Sequence, residues 1–258
     1  MSDDHGRFIW YELMVPDVEA AKRFYGEVLG WTTQEVGGSH MTYAMFEANG
    51  AGVGGVIPLT AEFKAQGIPP NWTAYVCVDD CDAAVRKAES LGGKVMRAAR
   101  DIPGIGRLAV IADPHGAVII VMKPIPPSEA RPRAPRGTVG HGGWHELYAG
   151  DAAADLAFYR ELFGWKETAR HDMGPMGTYH IFGNADGDLG GMMNKPPQMP
   201  APAWQIYFEV ADADAAAERV KKAGGALAMG PMDVPGGSRV AQAIDPQGAH
   251  FAIVWSKV

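Results

Sequence analysis

The chain has 258 residues, of which 47% are hydrophobic and 21% charged, a balance that supports one large domain or two smaller ones with real cores. A net charge of −7 with scattered basic residues argues against nucleic acid as a partner, because phosphate contacts need clustered Lys and Arg. No apolar run is long enough to cross a bilayer, and the opening MSDDHGRFIW lacks the basic start and apolar stretch of a signal peptide, so a cytoplasmic protein without membrane contact is expected.

In chain order, WYELMV alternates as a strand, with Tyr11, Leu13 and Val15 on one face and Trp10, Glu12 and Met14 on the other. Asp17 is placed to cap a helix carrying Val18, Ala21, Phe24, Tyr25 and Val28 at helical spacing, which Gly30 stops. Strand-like runs follow at MTYAMFE and GVGGVIP, where Gly54-Gly55 leaves room for a ligand or another group over the sheet. WTAYVCV then restarts the cycle, with a helix from about Asp82 to Leu91 and strands around KVMRA, RLAVIA and AVIIVM. Cys77 and Cys81 in CVDDC form neither a disulfide framework nor a paired metal motif, and read as structural cysteines.

The second half repeats the first. Trp10 recurs as Trp144, Asp17 as Asp151, Phe24-Tyr25 as Phe158-Tyr159 and Gly30-Trp31 as Gly164-Trp165. NWTAYVCVDD is answered by AWQIYFEVAD, and ADPHGAVIIV by IDPQGAHFAI. Such similarity, in one order along the chain, marks a duplicated unit. Two domains are therefore expected, at 1–123 and 144–258, joined by a Pro- and Arg-rich linker over 124–143. The expected fold class is α+β: four βαβββ units, with curved mixed sheets, concave clefts and helices outside.

This pattern resembles the vicinal oxygen chelate superfamily of glyoxalases, bleomycin and fosfomycin resistance proteins and ring-cleaving dioxygenases. The resemblance implies a metal site with a His or Gln on each opening strand, a His on the strand opening the second unit of each half, and a Glu on the closing strand. Those positions are Trp10 or Trp144, Thr73 or Gln205, and Ile120 or Ala252. Indole and alkyl groups cannot ligate a divalent ion, so no metal is expected at the family's positions. Any metal would need other ligands.

The expected site is an aromatic cleft for a small organic molecule. Trp10, Trp144, Thr73, Tyr75, Tyr148, Gln205 and Tyr207 are its candidate ligand-binding residues. Glu12, Glu146 and His250 are the candidates for proton transfer, because a carboxylate beside indole tends to a raised pKa and His250 has only Val118 as its counterpart. His145 falls on the helix side by strand parity and reads as structural. The alternatives kept open are a metal lyase or dioxygenase with substitute ligands, and a metal-free acid–base isomerase. The assembly expected is a monomer with intramolecular domain pairing, or a homodimer.

Overall fold

A computed structural model describes residues 2–36, 43–125 and 134–257. The first half runs β1 (Phe8–Val15), α1 (Val18–Leu29), β2 (Thr32–Glu35), β3 (Ala44–Ala48), β4 (Ala51–Pro58) and a short α2 (Ala61–Ala65). It continues with β5 (Asn71–Cys77), α3 (Cys81–Ser90), β6 (Lys94–Ile102), β7 (Gly106–Ala112) and β8 (Val118–Pro124). The second half repeats this as β9 (Gly142–Ala149), α4 (Ala152–Phe163), β10 (Lys166–Asp172), β11 (Thr178–Asn184) and β12 (Gly187–Asn194). Then follow β13 (Ala203–Glu209), α5 (Ala213–Lys222), β14 (Ala226–Asp233), β15 (Arg239–Ile244) and β16 (His250–Trp255).

The fold is α+β, with four βαβββ modules and two eight-stranded mixed sheets. The strand orders are β2-β3-β4-β1-β5-β8-β7-β6 and β10-β11-β12-β9-β13-β16-β15-β14. Residues 126–133, most of the basic part of the expected linker, lie outside the described residues.

Each module helix starts in the same way. Asp17, Asp80, Asp151 and Asp212 are extended N-cap residues whose carboxylates accept the backbone N–H of Ala20, Ala83, Ala154 and Ala215. Such a cap is worth about 1 kcal/mol. Strand parity also holds: Tyr11, Leu13 and Val15 are buried, as are Leu147 and Ala149.

Contacts divide the chain into two compact units that do not follow the tandem order. One comprises Met1–Ile9, Thr73–Pro132 and His145–Trp204; the other comprises Trp10–Trp72, Arg133–Trp144 and Gln205–Val258. Each unit thus combines a module from one half of the sequence with a module from the other. The repeated motifs hold these pairs together. In the second unit, Trp72 Nε1 donates to the Tyr25 hydroxyl at 2.8 Å, and Tyr25 donates to Asp245 at 3.1 Å. In the first, Trp204 donates to Tyr159 at 3.2 Å and Tyr159 to Asp113 at 3.1 Å. The Trp of each Gly-Trp pair anchors an incoming segment: Trp31 Nε1 donates to Gly140 O at 2.8 Å, and Trp165 Nε1 to Gly6 O at 2.6 Å.

Candidate ligand-binding site

On β1, Trp10 and Glu12 share the face opposite the core, with Glu12 in register with Gly55 of β4. A side chain at Gly55 would overlap the Tyr43 phenol, so Tyr43 lies over the glycine on the Glu12 face. Trp10 Nε1 donates to the Tyr43 hydroxyl at 3.0 Å. Burial and then the Glu12 charge raise the Tyr43 pKa well above its usual range, against the Trp10 hydrogen bond, which lowers it. The second copy repeats this device. Glu146, buried, is in register with Gly191, and a side chain there would overlap Tyr179. The room expected over Gly54-Gly55 is therefore filled at Gly55 by the chain's own Tyr43, and Tyr179 takes the matching place over Gly191. Tyr43 and Tyr179 were missed by sequence reasoning, although the matching TYAMF and TYHIF runs carried the signal.

The face of β13–β16 differs. Tyr207, Val240, Ala252 and Val254 form a buried apolar cluster against which Trp144 and Val234 pack. Gln242 Nε2 donates to the Tyr207 hydroxyl at 2.7 Å, and the Arg136 guanidinium lies 5.8 Å from the centre of the Trp144 ring. Alternation puts Gln205 on the Tyr207 face. Gln205 is buried, and its Nε2 has no hydrogen-bond partner among the described residues. A buried amide donor left unpaired costs about 1–3 kcal/mol, so an acceptor placed here, a water or a bound molecule, would be held. Next along the same face, Glu209 accepts from Ser256 Oγ at 2.6 Å, and burial raises its pKa.

Two expected ligand residues, Trp144 and Tyr207, thus meet on one face, with Gln205 beside Tyr207. Trp10 and Glu12 meet on another. Glu146 and Tyr148 lie on β9 opposite Gly191 and Met193 of β12. Thr73 and Tyr75 lie on β5, with Tyr75 in register with Ile120. His250 is exposed at the start of β16, opposite Ile244, in the second sheet, whereas Glu12 belongs to the first. His145 is buried: its Nδ1 lies 2.8 Å from Leu189 O, and its ring stacks on Phe8 with centroids 3.5 Å apart. Burial lowers its pKa to about 4, as befits a structural histidine.

The positions at which the resemblance implies metal ligands do not fit a metal. Trp10 spends its only polar atom on Tyr43, and Ile120 and Ala252 are buried alkyl groups. A different set of donors, which sequence reasoning missed, does gather. Asp113, His115 and Asp155 offer one ligand atom each within 4.8 Å of one another.

The family profile for the glyoxalase/bleomycin resistance protein/dioxygenase superfamily matches residues 7–121 and again 140–253. A protein of Mycobacterium bovis named "Putative glyoxylase CFP32" is 34% identical over 95% of this chain and 93% of its own length. The "Anthracycline biosynthesis protein DauV" of a Streptomyces species is 32% identical over 95% of this chain and 91% of its own. Among solved structures, the Mn(II)-bound glyoxalase from Novosphingobium aromaticivorans matches with a TM-score of 0.63 at 19% identity, covering 97% of this chain and 81% of that one. The duplicated match and the relatives along nearly the whole length place this chain in the glyoxalase/bleomycin resistance protein/dioxygenase superfamily.

Proposed function

We propose that the β13–β16 face binds a planar organic molecule bearing a carbonyl group, without a metal at the family's ligand positions. The observation that carries this reading is the unpartnered amide of buried Gln205 beside an apolar floor. A ring system would lie against the half-buried Trp144 and Val234 that pack on the Tyr207 cluster, while its carbonyl oxygen accepts from Gln205 Nε2. The relative whose name refers to anthracycline biosynthesis supports this substrate class, since anthracyclines are flat, carbonyl-bearing ring systems.

The test is a tryptophan-fluorescence titration with a hydroxyanthraquinone in the presence of chelator, comparing wild type with Gln205→Leu. Wild type should bind saturably. The leucine variant should bind about tenfold more weakly, one hydrogen bond's worth, and should melt at a higher temperature because an unpaired donor has gone. Equal affinity in the two proteins would sink the reading.

The Glu12–Tyr43–Trp10 group favours a second reading, proton transfer to or from a bound molecule, because Glu12 acts electrostatically on a held phenol. Once a reacting substrate is found, Glu12→Gln should bind it normally yet lose roughly 100-fold in kcat, the usual scale for a general acid or base. Unchanged kcat would exclude this role for Glu12.

A further inference from the structure

We propose that Asp113, His115 and Asp155 form a binding site for a divalent ion of the zinc or manganese type, in the first compact unit and from residues other than those of the faces described above. Asp155 stands in the first turns of α4, fully buried, with Oδ1 2.6 Å from His115 Nδ1. Its Oδ2 is also buried and has no partner among the described residues. Asp113 is the Asp of the Asp-Pro-His-Gly turn between β7 and β8. Its Oδ1 accepts the N–H groups of His115, Gly116 and Ala117, and its Oδ2 accepts from Tyr159. Two buried carboxylates thus lie side by side with one imidazole, and one carboxylate oxygen lacks any donor. A cation supplies what that oxygen lacks.

Comparison with the second unit isolates the feature. There Asp245 plays the part of Asp113, accepting from the N–H groups of Gln247 and Ala249 and from Tyr25. Gln247 replaces His115, and its amide clasps the backbone of Asp17 at 2.7 and 2.8 Å. Ala21 stands where Asp155 does. Turn and cap are thus complete without a second carboxylate or an imidazole, so Asp155 and His115 are additions that turn geometry does not require. Gly150 adds to the case: a side chain there would run into the His115 ring at 2.7 Å, so the backbone is kept bare where the imidazole lies.

One carboxylate–imidazole–carboxylate set suits a borderline ion that takes mixed N and O ligands at about 2.0–2.2 Å, and a span of 4.8 Å between donors is closed by small side-chain shifts. The His115 side chain is 35% exposed, which gives the ion an entry path and leaves coordination positions for water.

The experiment uses the full chain, stripped with chelator and titrated with Zn²⁺ or Mn²⁺ alone against a chromophoric indicator, with melting temperature followed in parallel. Wild type should take up one equivalent and melt several degrees higher when saturated. The double variant His115→Gln/Asp155→Ala installs the pair that the second unit already tolerates, and should lose at least about tenfold in affinity while keeping its fold. If that variant does not fold, His115→Gln alone, changed at a half-exposed position, should show the same loss. In the wild type, Co²⁺ should give visible bands without sulfur charge transfer, which sets this site apart from Cys77 and Cys81. No saturable uptake by wild type, or unchanged uptake by a folded variant, overturns the proposal. Neither result bears on Gln205, which belongs to the other unit.

Discussion

His145 shows what a single buried side chain does to the stability of the molecule. Its ring stacks on Phe8 while its Nδ1 lies at hydrogen-bond distance from the Leu189 carbonyl, and its pKa falls from 6.5 to about 4 because burial penalises the charged form. The unfolded chain therefore binds a proton that the folded chain refuses between those two values. Stability contributed by neutral His145 is complete above pH 6.5 and is lost as pH falls towards 4, up to about 3 kcal/mol. Urea melts from pH 7 to pH 4.5 should show this loss, and a His145→Gln variant, less stable at neutral pH, should show a shallower slope. An identical slope would assign the acid sensitivity to other groups. The structural role of His145 was legible from strand parity alone. The partners of Asp155 were not, because His115 and Asp155 meet through tertiary packing and stand 40 residues apart.

At the scale of elements, capping and alternation made most of the architecture readable. Asp17 and Gly30 bound α1 where the sequence placed its ends, since the cap carboxylate and the left-handed glycine are local chemistry. The α3 helix begins one residue earlier than expected, because Asp80 rather than a later aspartate accepts from Ala83 N–H. The strand glycines were read by composition and not by contact. Gly54 and Gly190 abut backbone carbonyls of the neighbouring strand, while Gly55 and Gly191 sit under tyrosines. Which group fills a glycine's space depends on which strands lie beside it and in what register, and no single strand discloses the sheet order. The same limit hid the meeting of Trp144 with Val240 and Val254, contributed by three different strands.

At the scale of the whole chain, the duplication was plain in the sequence, but the way its parts combine was not. Val76, Ile111 and Ile119 from the first half share one core cluster with Phe158, Tyr159 and Trp165 from the second. A half-chain of residues 1–123 therefore lacks the partners that bury its own helix faces. Expressed alone, it should self-associate or aggregate, and light scattering after size exclusion should find no stable monomer; mixing with residues 144–258 should restore a one-to-one complex. A well-folded monomeric half would show that each sequence domain is self-sufficient. Because the two units are paralogues within a single polypeptide, a substitution in this chain occurs once, whereas in a symmetric dimer of identical halves it would occur at both equivalent places. The contrast of His115 and Asp155 with Gln247 and Ala21 is the kind of specialisation that such symmetry would forbid. Duplication within one chain thus permits asymmetry: one copy carries a charge cluster where its twin carries the Gln247 clasp.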